Sequence, residues 1–236
     1  MRLFIHALLF GDYPEMHRRL LDSFKRCIPA SPDIDVRLWC NTVGKASSEL
    51  VTKSGYSASI SPGNLPKYKL MRLLFDLPKK SGGDKDWVVW FDDDSHLTQV
   101  DWLKRHEEFI AAHPEAVYMG QKWFGHHLSG QAEFIRAADW YKGKPFELFP
   151  TRQPGKKAPG VSFAQGAAWW LRLDVLRLLD WPDQRLNHNG GDTLLGEAVR
   201  QQGLPFHCFH YGVKINDAKR RGHSERPAGS TVDTRR

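Results

Sequence analysis

The sequence predicts an α/β fold, with a mostly parallel central sheet flanked by helices in a single domain, and three observations support it. Leu3–Phe10 is a nearly continuous apolar run closed by Gly11-Asp12, the signature of a strand buried on both faces. Trp87–Phe91 is a second, wholly apolar run. Around them, segments with helical spacing alternate with short strand-like ones, the order that builds a parallel sheet from strand–helix–strand units.

The elements follow in turn. Pro14 stands where a first helical turn tolerates proline, and Met16, Leu20, Leu21 and Phe24 recur at helical spacing until Cys27-Ile28-Pro29. Asp35–Asn41 alternates polar and apolar residues as a second strand, and a helix over 47–54 stops at Gly55. Beyond a loop at 62–66, Tyr68, Leu70, Met71, Leu74 and Phe75 form the apolar face of a helix with Lys67, Lys69 and Arg72 beside it. A turn at 80–84 precedes the strand Trp87–Phe91, which runs straight into Asp92-Asp93-Asp94. A helix over 100–112 and a strand over 116–120 come next. Residues 125–160 are rich in Gly, Pro, Lys and aromatic side chains without a period, and predict an irregular insertion. Order returns with a strand at Phe163–Leu171, a helix over 174–179 stopped by Pro182, a last helix over 192–202 with Gly203 behind it, and a closing strand at 205–209. The domain then spans 1–212, and 213–236 is a basic tail.

Composition narrows the classes. With 236 residues, 41% hydrophobic, the chain is neither disordered nor fibrous and is long enough for a core without a metal or disulfide staple. Cys27, Cys40 and Cys208 are an odd number at wide spacings, which predicts reduced, mostly buried thiols. No run approaches the roughly 20 apolar residues of a membrane span. The N-terminal run is too short for a signal peptide, so a cytoplasmic location is expected. The net charge is +7, and Lys214–Arg236 holds seven basic residues against three acidic ones, which points to an acidic partner.

Asp92-Asp93-Asp94 is the chemical focus. Ligand sites of parallel sheets lie beyond the carboxyl ends of the strands, where the triplet stands. Three adjacent carboxylates repel one another, and a bound Mg²⁺ or Mn²⁺ would offset that repulsion through oxygen ligands. The same run also reads as a solvated acidic turn.

On these residues the chain resembles the GT-A-fold glycosyltransferases, whose metal motif, Asp-any-Asp, follows a hydrophobic strand as Asp92-Asp93-Asp94 does here. The resemblance implies a GT-A-like (Rossmann-like) fold, a nucleotide-sugar donor, expected to be a UDP-sugar, and a Mn²⁺ or Mg²⁺ ion. It assigns Asp94 to the metal, Asp92 to the metal or the ribose, and Asp92 and Asp93 to the donor. Asn189–Gly196 is similar to the family's acid-containing segment that opens a late helix, which makes Asp192 the candidate base and an acceptor contact, and the reaction inverting. A helix N-terminus would keep that carboxylate ionised. Gly191 stands where the family usually has Glu, and Asp192 equally reads as an ordinary N-cap. Phe209-His210 resembles the site of a metal-ligating histidine, with His207 and His223 as competitors. Phe163–Trp170 is similar to the small-residue acceptor strand, which marks Gly166, Ala167 and Trp169 for the acceptor or else for packing. By the same resemblance Gly11 borders the nucleotide pocket, and Lys69 and Arg72 face the donor or form a solvated helix face.

Three acceptors compete: a hydroxymethylated pyrimidine in DNA, as in phage DNA-modifying enzymes, a lipid-linked or surface glycan, and a protein side chain. The tail, with Lys142, Lys144, Lys156 and Lys157, favours DNA. A target base must then leave the stack, with Phe124, His126, His127 or Trp140 to wedge or stack. A Mg²⁺-dependent phosphotransferase and a nucleic-acid-binding module are the readings from other classes.

Overall fold

The computed structural model describes residues 1–126, 129–150 and 153–215. Its centre is β1 (Leu3–Phe10), buried along nearly its whole length and paired in parallel with β2 (Ile34–Asn41) on one side and β4 (Trp87–Asp92) on the other. Between β1 and β2 lies α1 (Pro14–Cys27), and α2 (Lys45–Ser54) leads to the edge strand β3 (Ser57–Ile60). Then α3 (Lys67–Ser81) crosses to β4. After β4 come β5 (Ser95–Leu97), α4 (Trp102–Ala112), β6 (Tyr118–His126), α5 (Ser129–Arg136), β7 (Glu147–Pro150) and β8 (Lys157–Arg172). The chain then runs through α6 (Leu173–Leu178), α7 (Gly191–Gln201), β9 (Phe206–Cys208) and β10 (Val213–Ile215).

The main sheet has the order β3-β2-β1-β4-β8-β6-β9, with β7 paired to β8. Strand alternation splits its core in two. Phe4, Leu8, Val88 and Trp90 pack with α3, α6 and α7 on one face, and Leu3, Ile5, Leu9, Trp87 and Phe91 pack with α1 and α4 on the other.

The first half of the sheet is parallel, as expected, but β8 runs antiparallel to β4, β6 and β7. That reversal carries the middle of β8 across the C-terminal edge of β4, where Phe91 pairs with Ala168. The span expected to be irregular contains the end of β6, α5, β7 and the start of β8. Its pairing partners are distant in sequence, and its Gly-, Pro- and Lys-rich composition hides them. The turn expected at 80–84 begins later, because α3 continues through Pro78 to Ser81. β3, β5 and β10 are too short to carry a period; β10 pairs antiparallel with β5 and takes ordered chain beyond residue 212. Cys27 and Cys40 are buried, burial pushing the Cys40 thiol up to about 11, while Cys208 is exposed. No helix among the described residues is long and apolar enough to cross a membrane. Residues 216–236, which hold nearly all of the basic tail, lie outside the described residues.

Candidate functional site

The triplet at the end of β4 sends its carboxylates to different places. Asp92 faces α3, where its Oδ1 accepts from Trp90 Nε1 at 2.9 Å and its Oδ2 from Lys67 Nζ at 2.6 Å. Asp93 turns the opposite way and is 2% exposed. Its Oδ2 accepts the Phe10 N–H at 2.9 Å and lies 3.2 Å from His17 Nε2, while His17 Nδ1 lies 2.6 Å from Ser47 Oγ. Asp93 therefore ties β4 to β1, α1 and α2 and cannot meet a donor as expected, because strand alternation buries it. The triplet is correspondingly not a solvated turn. Asp93→Ala, which removes the acceptor of the Phe10 N–H and the carboxylate facing His17, is expected to cost about 1–3 kcal/mol of stability. Urea unfolding at wild-type stability would contradict this structural role.

Asp94 is half-buried, and its pKa is pushed up by burial and by the Asp92 charge, with Lys67 opposing. Two carboxylates of the triplet thus share one environment while the third is structural.

Lys67 is the cation at their side. It is the first residue of α3, whose first turn holds no acid. A lysine there opposes the helix dipole, so the fold must hold it by other means. The Tyr68 N–H donates to Asn187 O at 2.9 Å, and Lys67 Nζ reaches Gly166 O at 3.4 Å as well as Asp92. Burial disfavours its charge, but Asp92 and Tyr68 prevail and its pKa is raised.

Asp192 lines a cavity together with Lys67 and Asp92. The pairing of β6 and β8 shifts between Gly120 and Lys122, leaving Gln165–Ala168 out of the regular ladder. Gly166, in this irregularity, lies against the Asp192 carboxylate: a Cβ on it would stand 2.3 Å from Asp192 Oδ1. The N-cap of α7 is Gly190, at φ +87°, so Asp192 sits inside the first turn and is not the cap. A Cβ on Gly191 would lie 1.8 Å from the Tyr68 hydroxyl, which accounts for glycine where the resemblance expects Glu. Burial raises the Asp192 pKa to about 6; Lys67 lowers it and Asp92 adds to the rise. The helix terminus does not hold this carboxylate low, as the sequence predicts, because burial outweighs it.

These groups line one cavity of about 400 Å³, where Lys67, Asp92, Gly166 and Asp192 are joined by Trp123 and Phe163. Ala167 also lines it, and its carbonyl accepts from Ser95 Oγ at 3.2 Å. Other expected residues lie elsewhere. Trp169 is 2% exposed and stacks on Trp90 at 6.4 Å between centroids, so it is core and not an acceptor contact. Arg72 donates to the Asp180 carboxylate at 2.9 Å and to the Pro182 carbonyl, turned away from the donor by its helix face. Lys69 is exposed, and Gly11, at φ +70°, ends β1 outside the cavity lining.

His210 does not reach the triplet. It lies beside His106 in the turn before β10, and β10 pairs Val213 with Leu97 and Ile215 with Ser95. The chain thus starts at the end of that ladder remote from Asp94. His207 faces Glu115 at 3.6 Å, and His223 lies outside the described residues. Among the described residues no three His, Cys, Asp or Glu side chains gather as a metal cluster. Lys67, Tyr68, Trp123, Gln131, Phe163, Gln165 and His188 are among the cavity residues that sequence reasoning did not single out.

No family model matches the chain, and no curated protein matches its sequence. Solved structures do resemble it. TarS of S. aureus is 14% identical with a TM-score of 0.57, over 92% of this chain and 37% of that one. A structure of TarS residues 1–349 is 15% identical with a TM-score of 0.52, over 85% and 56%. The mannosyltransferase PcManGT from Pyrobaculum calidifontis, solved in complex with GDP-Man and Mn²⁺, is 12% identical with a TM-score of 0.58, over 94% and 58%. The chain thus covers 37–58% of the length of these proteins. At such identities the likeness establishes the fold, a GT-A-like α/β architecture.

Proposed function

We propose that this chain is a metal-dependent glycosyltransferase that moves a sugar from a nucleotide-sugar donor to an acceptor hydroxyl, with inversion at the anomeric carbon. One observation carries the reading: a carboxylate, Asp192, shares a cavity at the C-terminal edge of the sheet with the Asp92–Lys67 pair, and burial and the Asp92 charge raise its pKa. The likeness to a mannosyltransferase of the same fold supports it.

Asp192 takes the proton of the acceptor hydroxyl as that oxygen bonds to the anomeric carbon. The bond from that carbon to the diphosphate oxygen breaks, and its electron pair leaves on the diphosphate. Gly166, having no side chain, lets the carboxylate lie directly against the β8 backbone. Lys67 Nζ donates to Asp92 Oδ2 at 2.6 Å and so fixes that carboxylate at the edge of the donor's place.

The chemistry of the donor set fits a divalent ion. Mg²⁺ is commonly held by one or two carboxylates, with substrate phosphates and water filling the remaining positions, and Mn²⁺ suits the same oxygen ligands. Asp94 and Asp92 would hold it, without His210. When bound, the ion supplies charge neutralisation for the departing diphosphate. A UDP-sugar is the donor to try first, with GDP-sugars beside it.

The pH dependence tests the base. Asp192 accepts a proton only when ionised, so transfer is expected to rise about tenfold per pH unit below about 6 and to level off above. Stability runs the other way. A carboxyl whose folded pKa exceeds its unfolded value of about 3.9 makes ionisation unfavourable to folding, a penalty that grows between these two values and is complete above about 6. A flat rate profile from pH 5 to 8 (roughly three units) would remove Asp192 as base.

A further inference from the structure

Part of the cavity lining, Trp123 with Gln131, Gln165 and Asn189, is chemically unlike the Asp92–Lys67 pair. We infer that it is an acceptor subsite for a neutral carbohydrate, seating a sugar ring on Trp123 and binding its hydroxyls through the side-chain amides of Gln131, Gln165 and Asn189. This inference rests on the glycosyl-transfer reading and names its acceptor.

Trp123 alone of the nine tryptophans is exposed, at 40%. Its plane is fixed by the cross-strand partner Phe163, with centroids 5.4 Å apart and planes 9° from parallel. An aromatic ring fixed and left open at a cavity presents a flat apolar face to a ligand, and the apolar face of a sugar ring fits it. The three amides line the same cavity. Each amide both donates and accepts, as hydroxyl groups do. Gln165 Oε1 is buried and has no hydrogen-bond partner among the described residues, so its amide is free to turn toward a ligand in the cavity.

Charge separates this ligand from a nucleic acid. The cavity lining carries two carboxylates and one ammonium, and that ammonium, Lys67, is already paired with Asp92. His188, also in the lining, has its pKa lowered by burial and by Lys67, which disfavours its cationic form. Lys122 lies next to Trp123 but alternates to the opposite face of the sheet, over the rings of Phe124 and Phe206. The backbone N–H groups of Lys142 and Lys144 donate to Gln201 Oε1, and Lys144 Nζ reaches Arg200 O at 3.5 Å, at the C-terminal end of α7, roughly 13 Å along the helix from Asp192. Of the residues considered as wedges for a flipped base, Trp140 is buried, and Phe124, though exposed, does not line the cavity. His127 and the side chain of His126 lie outside the described residues.

The test uses the full chain and whichever donor yields nucleotide release. Methyl glucoside, galactoside and mannoside are offered beside a duplex carrying 5-hydroxymethylcytosine, and products are weighed by mass spectrometry. A sugar-mass gain on at least one glycoside and none on the duplex is expected. Trp123→Ala is expected to raise the acceptor KM about tenfold or more, with Trp123→Phe recovering most of the loss. Saturation-transfer NMR should show the glycoside ring protons on the wild type and lose them in Trp123→Ala. Product on the duplex alone, or an unchanged acceptor KM in Trp123→Ala, overturns the inference. Nucleotide release without transfer to any glycoside also overturns it, while leaving the glycosyltransferase reading in place. Absence of release from every donor removes both.

Discussion

Asp192→Asn is expected to lower transfer about 10²–10⁴-fold while leaving the fold intact and raising its stability above pH 7. The amide keeps the shape of the carboxylate and its place against Gly166, but it takes no proton. The gain in stability has the same origin as the raised pKa: burial makes the ionised carboxylate unfavourable, and the neutral amide escapes that penalty. The two effects together are diagnostic. A residue of purely structural value would lose stability on substitution, whereas a base held in a burying site should lose activity and gain stability. Kinetics and thermal unfolding of the one variant at pH 8 measure both (about two units above the Asp192 pKa). Wild-type transfer in Asp192→Asn would eliminate the base assignment.

Lys67→Met is expected to damage both fold and function. It leaves the half-buried Asp92 carboxylate with the Trp90 indole N–H but without its counter-charge, and breaking such a pair costs about 2–4 kcal/mol. Adding Asp92→Asn should recover most of that stability, because the uncompensated charge is then gone, so the pair should be strongly non-additive in urea unfolding. Transfer is expected to fall about 10²-fold or more, with Lys67→Arg retaining part of it. Additive stability effects of the two substitutions would show that the ion pair does not organise the site.

Much of this site was legible because its signals are local. An apolar run ending in three acids announces a buried strand whose last residues reach a sheet edge, and the Gly-Gly-Asp opening of α7 marks a backbone that packs closely. What escaped was set by partners far apart in sequence. Lys67 meets Asp92 across 25 residues and Gly166 across 99. Its one local signal is a lysine opening a helix without an acid in the first turn, a placement the dipole disfavours and function can explain. Arg72, five residues on, belongs to another helix face and serves the Asp180 loop. Trp169 lies in an apolar stretch of β8 covered on both faces, which describes core better than a binding surface. His210 was misplaced because the three-residue β10 beyond it has no readable period, although its pairing with β5 decides which end of the ladder meets the triplet. Trp123 belongs to a span whose strand order depends on β8.

Nucleotide release from a panel of UDP- and GDP-sugars, with Mn²⁺ and then with chelator, tests the central claim most directly. Release from at least one donor with Mn²⁺, lost on chelation and restored by adding the ion back, is the expected result. No release from any donor with either Mn²⁺ or Mg²⁺, or release at the same rate in chelator, would contradict a metal-dependent glycosyltransferase.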